Sequence, residues 1–331
     1  MTRIVIDAMG GDRAPAEVLK GVVQAHERFP ELELTLIGRQ EEVRKGLAEF
    51  GSRAEGLQVV HAPEVVGMED PPAEALRAKK ECSITRGAAM AAQGQADAFV
   101  SAGNTGAVVA AATVLMKLLE GVRRPGIAVN IPTTKGMAVV IDVGANVYPK
   151  PIHLCQYAGM AAEYARLMWN VSNPRVGLLN VGSEDAKGNE LVREVHEKLE
   201  KSPLNFVGNA EGGDIWEGSF DVVVCDGFVG NVLLKVTEGL GSSLLRQVQH
   251  ELEGSASEYA PYWQGALNKI RNRYDYAEYG GAPLLGVNGV CIICHGSSEA
   301  RAFVNAIRVA RDSVGRNVNQ HIQDVLRAGL C

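Results

Sequence analysis

"VSAGNTGAVVAAATVLM", residues 100–116, decides the fold. It reads as the end of a strand, a short polar turn (Ser101-Ala102-Gly103-Asn104-Thr105-Gly106), and a buried, alanine-rich helix. A strand that enters a helix through so short a turn is the repeating unit of an α/β sheet protein. The unit recurs outward in both directions. "RIVIDAMGGD" precedes the helix "PAEVLKGVVQAHERF", and "LELTLIGR" and "LQVVHA" are further strands. "GIAVNIPT" and "MAVVIDVGAN" are adjacent strands that suit a hairpin, and "PIHLCQYAGMAAEYARLMW" is a helix. "RVGLLNVGSEDAKGN" leads to a helix with Leu191, Val195 and Leu199 on one face. "FDVVVCDGFVGN" leads to one with Leu233, Val236, Leu240 and Leu244 in register, and "GVNGVCIICHGSS" to one over Glu299–Val314.

This alternation predicts an α/β/α sandwich around a largely parallel sheet. In such sheets ligands bind beyond the carboxyl ends of the strands. Six polar, glycine-containing loops are therefore expected on one sheet edge, around one cleft: 7–12, 101–106, 142–146, 180–189, 226–231 and 295–298. No linker divides the chain, so residues 1–331 are read as one domain. Its least regular stretch, 251–282, is polar and aromatic-rich, and marks a helical excursion at about 245–280.

Composition narrows the function. Apolar residues make up 46% of 331, enough for a large core. The net charge of −6 argues against general nucleic-acid binding, although a local basic patch for an acidic partner remains compatible with it. Six cysteines, mostly in apolar runs, suit a reducing cytoplasm. Cys291 and Cys294 have C-x-x-C spacing but lie on a strand, where residues three apart face opposite sides; they are read as packing thiols. There is no secretory leader pattern at the start, and the longest apolar run, Ala107–Met116, is too short to span a bilayer.

The loops carry the candidate chemistry. Helix N-termini present unpaired N–H groups at the positive end of a dipole and attract anions, so "SAGNTG", "GSEDAKGN" and "HGSS" are candidate anion sites as well as capping turns. Lys187 lies in a cleft loop just before a helix, where it can meet an anion or simply face solvent. Asp7, Asp12, Asp142 and Asp226 end strands or begin turns, where aspartate serves either turn geometry or chemistry. Of seven histidines, His295 alone lies in one of these loops. The dinucleotide G-x-G-x-x-G, the P-loop, the G-x-S-x-G elbow and H-E-x-x-H are all absent. Phosphate handling without an ATP cradle or a covalent enzyme intermediate is the expectation.

Taken together, "DAMGGDRAP" (7–15), "SAGNTGA" (101–107), "DVGAN" (142–146), "GLLNVGSEDAKGN" (177–189), "DVVVCDGFVGNVLLK" (221–235) and "YGGAPLLGVNG" with "HGSS" (279–298) resemble the bacterial phosphate acyltransferases. The resemblance runs from residue 4 to beyond 310. It implies a fold similar to isopropylmalate dehydrogenase, a cytoplasmic homodimer, and no metal or cofactor. It also implies transfer of a long-chain acyl group from acyl carrier protein to inorganic phosphate, giving acyl phosphate for a glycerol-3-phosphate acyltransferase in phospholipid synthesis. Some members contact the inner face of the membrane through a helical segment like 245–275, which is more polar here than an inserting helix.

On that resemblance Lys187 neutralises phosphate or oxyanion charge, Asp226 and Asn231 orient the lysine or take a proton, and His295 assists the departing thiolate. Substrate is expected against Asp7, Gly10, Gly11 and Asp12; against Ser101, Gly103, Asn104, Thr105 and Gly106; against Asp142 and Asn146; and against Asn180, Gly188 and Asn189. The Asn104-Thr105-Gly106 turn is the expected phosphate seat. The acidic carrier is expected on Arg123 and Arg124 or on Lys269, Arg271 and Arg273. Two rivals remain at this point. One is a dehydrogenase of the same fold, which needs a metal-binding aspartate cluster. The other is a non-catalytic scaffold, which needs none of the polar loops.

Overall fold

The computed structural model describes residues 1–254, 260–274 and 276–330; Cys331 and parts of the 251–282 stretch lie outside the described residues. Among the described residues the strands are β1 (Thr2–Asp7), β2 (Leu32–Gly38), β3 (Gln58–His61), β4 (Ala98–Ser101), β5 (Gly126–Thr133), β6 (Gly136–Ile141), β7 (Val176–Leu179), β8 (Phe206–Ala210), β9 (Val222–Val224), β10 (Ala282–Leu285) and β11 (Val290–Ile293). The helices are α1 (Ala16–Arg28), α2 (Gln40–Ala48), α3 (Pro72–Ala78), α4 (Ser83–Ala92), α5 (Thr105–Ala111), α6 (Pro151–Trp169), α7 (Glu190–Glu200), α8 (Gly212–Glu217), α9 (Gly227–Gly254), α10 (Ala260–Tyr274), α11 (Tyr276–Tyr279), α12 (Ala300–Gly315) and α13 (Val318–Arg327). A π turn over Ala112–Met116 prolongs α5.

One sheet joins all the strands in the order β3-β2-β1-β4-β11-β10-β5-β6-β9-β7-β8. Its two ends are parallel blocks, β3-β2-β1-β4-β11 and β6-β9-β7-β8. Between them the pairs β11–β10, β10–β5 and β5–β6 are antiparallel, the last being the expected hairpin. Three reversals leave the blocks pointing in opposite directions. The expectation of one common edge for all six loops is therefore corrected. Loops 7–12, 101–106 and 295–298 follow β1, β4 and β11, whereas 142–146, 180–189 and 226–231 follow β6, β7 and β9 from the other edge.

The sheet alternates as a strand must, and both faces are covered. Ile4, Ile6, Val100 and Ile292 meet α1, α2 and α12, and Val139, Ile141, Val222 and Val224 meet α6, α7 and α13. The opposite face is one continuous core under both blocks, with Val5, Phe99, Cys291, Val140 and Val223 packed against α3, α4, α5 and α8. Cys291 and Cys294 fall in the cores of opposite faces, as the spacing required. Where α5 crosses this shared face, the two blocks are bridged.

Helix α9 departs from expectation. Leu233 and Leu234 pack on the core, but Val236, Leu240 and Leu244, in register with Leu233 by their spacing, are 53–60% exposed. The periodicity was real, but the surface it faces is not in this chain's own core.

Candidate active site

Two buried aspartates build the loops. At the end of β1, Asp7 accepts the Ser101 hydroxyl at 2.8 Å and the Met9 N–H at 3.0 Å, and Ser101 Oγ in turn accepts the Gly103 N–H at 3.1 Å. Gly10 has no room for a side chain, because a Cβ there would lie 2.5 Å from the Gly103 nitrogen. The 7–12 and 101–106 loops are thus locked together from below. Burial pushes the Asp7 carboxyl up, against the pull of hydrogen bonds from Ser83, Ser101 and the Met9 and Gly10 backbone. Gly11 takes φ +107°, and the Asp12 N–H donates to the Gly296 carbonyl, which adds the 295–298 loop to the same assembly.

At the end of β6, Asp142 does the equivalent work. Its carboxylate accepts the N–H groups of Ile127, Gly144, Ala145 and Asn146 at 2.7–3.2 Å. Burial again drives its carboxyl up. Asn146 donates its amide to the Pro125 carbonyl and to the Tyr157 hydroxyl, both at 2.7 Å. Three loop N–H groups that an anion might have used are therefore turned inward. Asp7 and Asp142, both 0% exposed, shape the loops from beneath, and half-buried Asn146 stands above them.

Asn104 also holds backbone. Its Oδ1 caps α5 by accepting the Ala107 N–H at 3.1 Å, and its Nδ2 faces the carbonyls of Gly67, Met68 and Asp70 at 2.9–3.3 Å. The polar side chain ties the 67–70 loop to the helix start. Thr105 and Gly106, the next two residues, are exposed, and neither backbone N–H has a partner among the described residues.

These two residues open a cleft of about 340 Å³. One wall is a single face of α5 and its π extension, Thr105, Gly106, Val109, Ala110, Thr113 and Val114; the other is Arg124–Pro125 and Gly144–Asn146. The cleft thus joins the loop after β4 to the loop after β6, although they leave opposite sheet edges.

Helix α9 makes the second bridge. Asp226 accepts the Phe228 and Val229 N–H groups at 3.0 and 2.9 Å, a capping role, and the Gly227 N–H donates to the Asn146 carbonyl at 2.9 Å. Exposed Asn231 lies across from Gly144, whose hypothetical Cβ would sit 3.7 Å from Asn231 Oδ1. One turn on, Lys235 Nζ lies 2.9 Å from His295 Nε2 and 2.9 Å from Glu238 Oε2, while His295 Nδ1 lies 2.7 Å from Ser297 Oγ. Sequence reasoning missed Lys235. Its signal was its i+4 spacing from Asn231, which places both on one helix face.

The 180–189 loop is held by its own neighbours. Asn180 donates to the Lys187 carbonyl at 3.1 Å, Gly188 takes φ +92°, and Asn189 caps α7 through the Val192 N–H at 2.9 Å. Buried His196 reaches Asp185 at 3.5 Å and Asn209 at 3.0 Å, and Asn209 donates to the Glu184 carbonyl. The Lys187 side chain is exposed, and no hydrogen bond or ion pair joins it to the cleft among the described residues. Of the basic candidates, Arg273 donates to the Thr133 carbonyl at 2.6 Å and Arg271 to Asn268 at 3.0 Å, whereas Arg124 faces the cleft with no bonded partner among the described residues.

The five described cysteines are buried and none is in a disulfide among the described residues. Burial raises the Cys225 thiol well above its ordinary range and pushes Cys291 and Cys294 up to about 12, which disfavours a thiolate nucleophile at any of them. Among the described residues no group of three or more His, Cys, Asp or Glu is placed to hold a metal.

The α/β/α fold is shared with solved proteins of known activity. The fold is similar to a phosphotransacetylase from Streptococcus pyogenes, with TM-score 0.65 at 17% identity over 95% of this chain and 94% of that one. It is also similar to a branched-chain phosphotransacylase from Enterococcus faecalis, with TM-score 0.61 at 13% identity over 95% and 99%. The sequence goes further: the "Fatty acid synthesis protein" family model matches residues 2–321, and the chain belongs to that family. Relatives called phosphate acyltransferase include one from Heliobacterium modesticaldum, 48% identical over 97% of both chains. Another is from Pelotomaculum thermopropionicum, 48% identical over 98% of this chain and 95% of the other.

Proposed function

We propose that the chain is a phosphate acyltransferase. It transfers a long-chain acyl group from the thioester of acyl carrier protein to inorganic phosphate and releases acyl phosphate for glycerol-3-phosphate acylation. The observation that carries this reading is the cleft itself. It pairs two unengaged N–H groups, at Thr105 and Gly106, with a wall supplied by the opposite block, in a chain whose near-full-length relatives bear that name.

The chemistry asks for position and charge more than for a protein nucleophile. A phosphate oxygen attacks the thioester carbon, the carbonyl oxygen takes up negative charge, and the C–S bond then breaks to leave acyl phosphate and a thiol. Fixed donors aimed at the developing oxyanion lower that barrier. Thr105 and Gly106 are the donors assigned to phosphate. Lys187 supplies charge, Asn231 supports the reacting oxygens, and His295, beside Lys235, returns a proton to the departing sulfur. The buried cysteines support direct attack by phosphate.

A homodimer fits the exposed stripe Val229, Val232, Val236, Leu240, Leu244 and Val248 on α9, whose 3- and 4-residue spacing is that of a helix-packing face. No helix among the described residues is long and apolar enough to cross a membrane, so any membrane contact of this enzyme is peripheral in this reading.

The deciding experiment supplies the full chain with palmitoyl-acyl carrier protein and inorganic phosphate, without nucleotide or added metal. Acyl phosphate, trapped by hydroxylamine, is the expected product. Hydrolysis alone would refute the reading; carrier binding without turnover would refute it and favour the scaffold.

A further inference from the structure

We propose that the cleft beside α5 is the channel for the carrier's phosphopantetheine arm, and that Arg124 holds the arm's phosphodiester. This rests on the acyl-carrier reading above and adds the residues that thread the substrate.

Three observations meet there. The first is shape. The α5 wall runs from Thr105 to Val114, nine steps along the helix at a rise of about 1.5 Å, or roughly 13 Å. The arm carries two amides between sulfur and phosphate and has about the reach of four extended residues, ~14 Å. The second is lining. Val109, Ala110, Val114, Pro125 and Ala145 are small and apolar, while the ends and margins are polar, which suits a thin amide-bearing thread. The Thr113 hydroxyl is satisfied by the Val109 carbonyl at 2.6 Å, so burying the thread strands no polar group there.

The third is charge. Arg124 lines the cleft, is exposed and has no bonded partner among the described residues. It is not isolated: His153 is held below its ordinary range first by burial and then by the charges of Arg124 and Lys150, so both cations stand close to His153. An alkyl chain gains nothing from an unpaired guanidinium, whereas a phosphodiester gains charge-assisted hydrogen bonds. Arg124 and Lys150 give an acidic carrier positive charge near this end of the cleft.

The test titrates 4′-phosphopantetheine and pantetheine separately into the full chain by calorimetry. The wild type is expected to bind the phosphorylated arm about ten- to a hundredfold tighter, the range for a hydrogen-bonded charge. Arg124→Ala should abolish that preference and leave pantetheine affinity unchanged. Arg124→Lys should restore part of it. Val114→Glu, at a position 72% exposed and hence tolerant of charge, should also erode it by setting a carboxylate on the facing wall. With acyl-carrier substrate, Arg124→Ala should raise KM with little change in kcat. A phosphate preference that survives both Arg124→Ala and Val114→Glu overturns the assignment. So does an Arg124→Ala effect confined to the KM of inorganic phosphate when acyl-pantetheine is the donor. Because the titration needs no turnover, a wild type that binds the arm but forms no acyl phosphate would sink the acyl-transfer reading and leave the channel standing.

Discussion

At the scale of single residues, this site separates groups that touch solvent from groups that hold the backbone. Asn104 is the clearest case. In sequence it stands in the middle of a polar turn and looks like a ligand; in the fold its amide is fully engaged by one N–H and three carbonyls. Asn104→Ala should therefore lower stability by about 1–3 kcal/mol through the lost cap and tether, read as a shift of the urea midpoint. A stable variant with only a raised phosphate KM would show that the amide contacts phosphate after all. Asp7 and Asp142 make a prediction in pH. Burial raises both carboxyls above the unfolded value of 3.8, so the folded state binds protons more readily. Their contribution is fully present below that value and is lost as pH rises through the folded one. Asp142→Asn should consequently flatten the fall in stability on going from pH 4 upward, measured by denaturant unfolding at several pH values. A slope identical to wild type would show that Asp142 does not carry this effect.

At the scale of elements, the close approach of α9 to β6 positions the face that carries Asn231 and Lys235. Gly230 permits it, since a Cβ there would fall 2.0 Å from the Asp142 carbonyl oxygen and 2.9 Å from Cys225 Sγ. Gly230→Ala should force the helix start away from the sheet. The expected cost is about 1–3 kcal/mol of stability, with a larger loss in kcat than in KM, because the helix carries its functional face with it. Unchanged kcat in a destabilised variant would detach α9 from the chemistry. Elements were also the scale at which the sequence read best. Strand and helix signals placed β5, α6 and α12 within a residue or two of their ends, and for α6 Pro151 starts the helix and Asn170, at φ +57°, stops it. The short strands β8 and β10, and the helices α3 and α8, passed unread, since segments of four to seven residues hold too little periodicity to declare themselves.

At the scale of the whole molecule, the exposed stripe of α9 is the largest departure from a self-contained core. Leu240→Glu with Leu244→Glu, both more than half exposed, should leave the monomer's own packing intact and shift the protein from dimer to monomer in sedimentation. A monomeric wild type, or a dimeric double variant, would place any subunit contact elsewhere. Strand direction belongs to this scale too. Each strand-to-helix loop was legible one by one, but their shared edge was inferred from a rule for parallel sheets, and three antiparallel pairings in the middle of the sheet break that rule. Five of the six loops still meet, because α5 and α9 cross one face and connect what the edges separate, while the 180–189 loop stays with its own neighbours.

The amino-acid sequence by itself determined the class of fold, the order of its elements, the positions of the polar loops and the family to which they belong. All of these rest on local spacing: apolar period, caps, glycines and short motifs that survive without knowledge of neighbours. Only the tertiary structure decided which loop groups face the cleft. "SAGNTG" offers two glycines, an amide and two hydroxyls with equal plausibility until the hydrogen bonds are assigned. Ser101 and Asn104 then prove to be engaged from beneath and alongside, while Thr105 and Gly106 remain open to the cleft. A polar group has a limited number of partners, and which of them lie within 3 Å is set by residues as distant as Asp7, Gly67 and Asp70, beyond the reach of any local pattern.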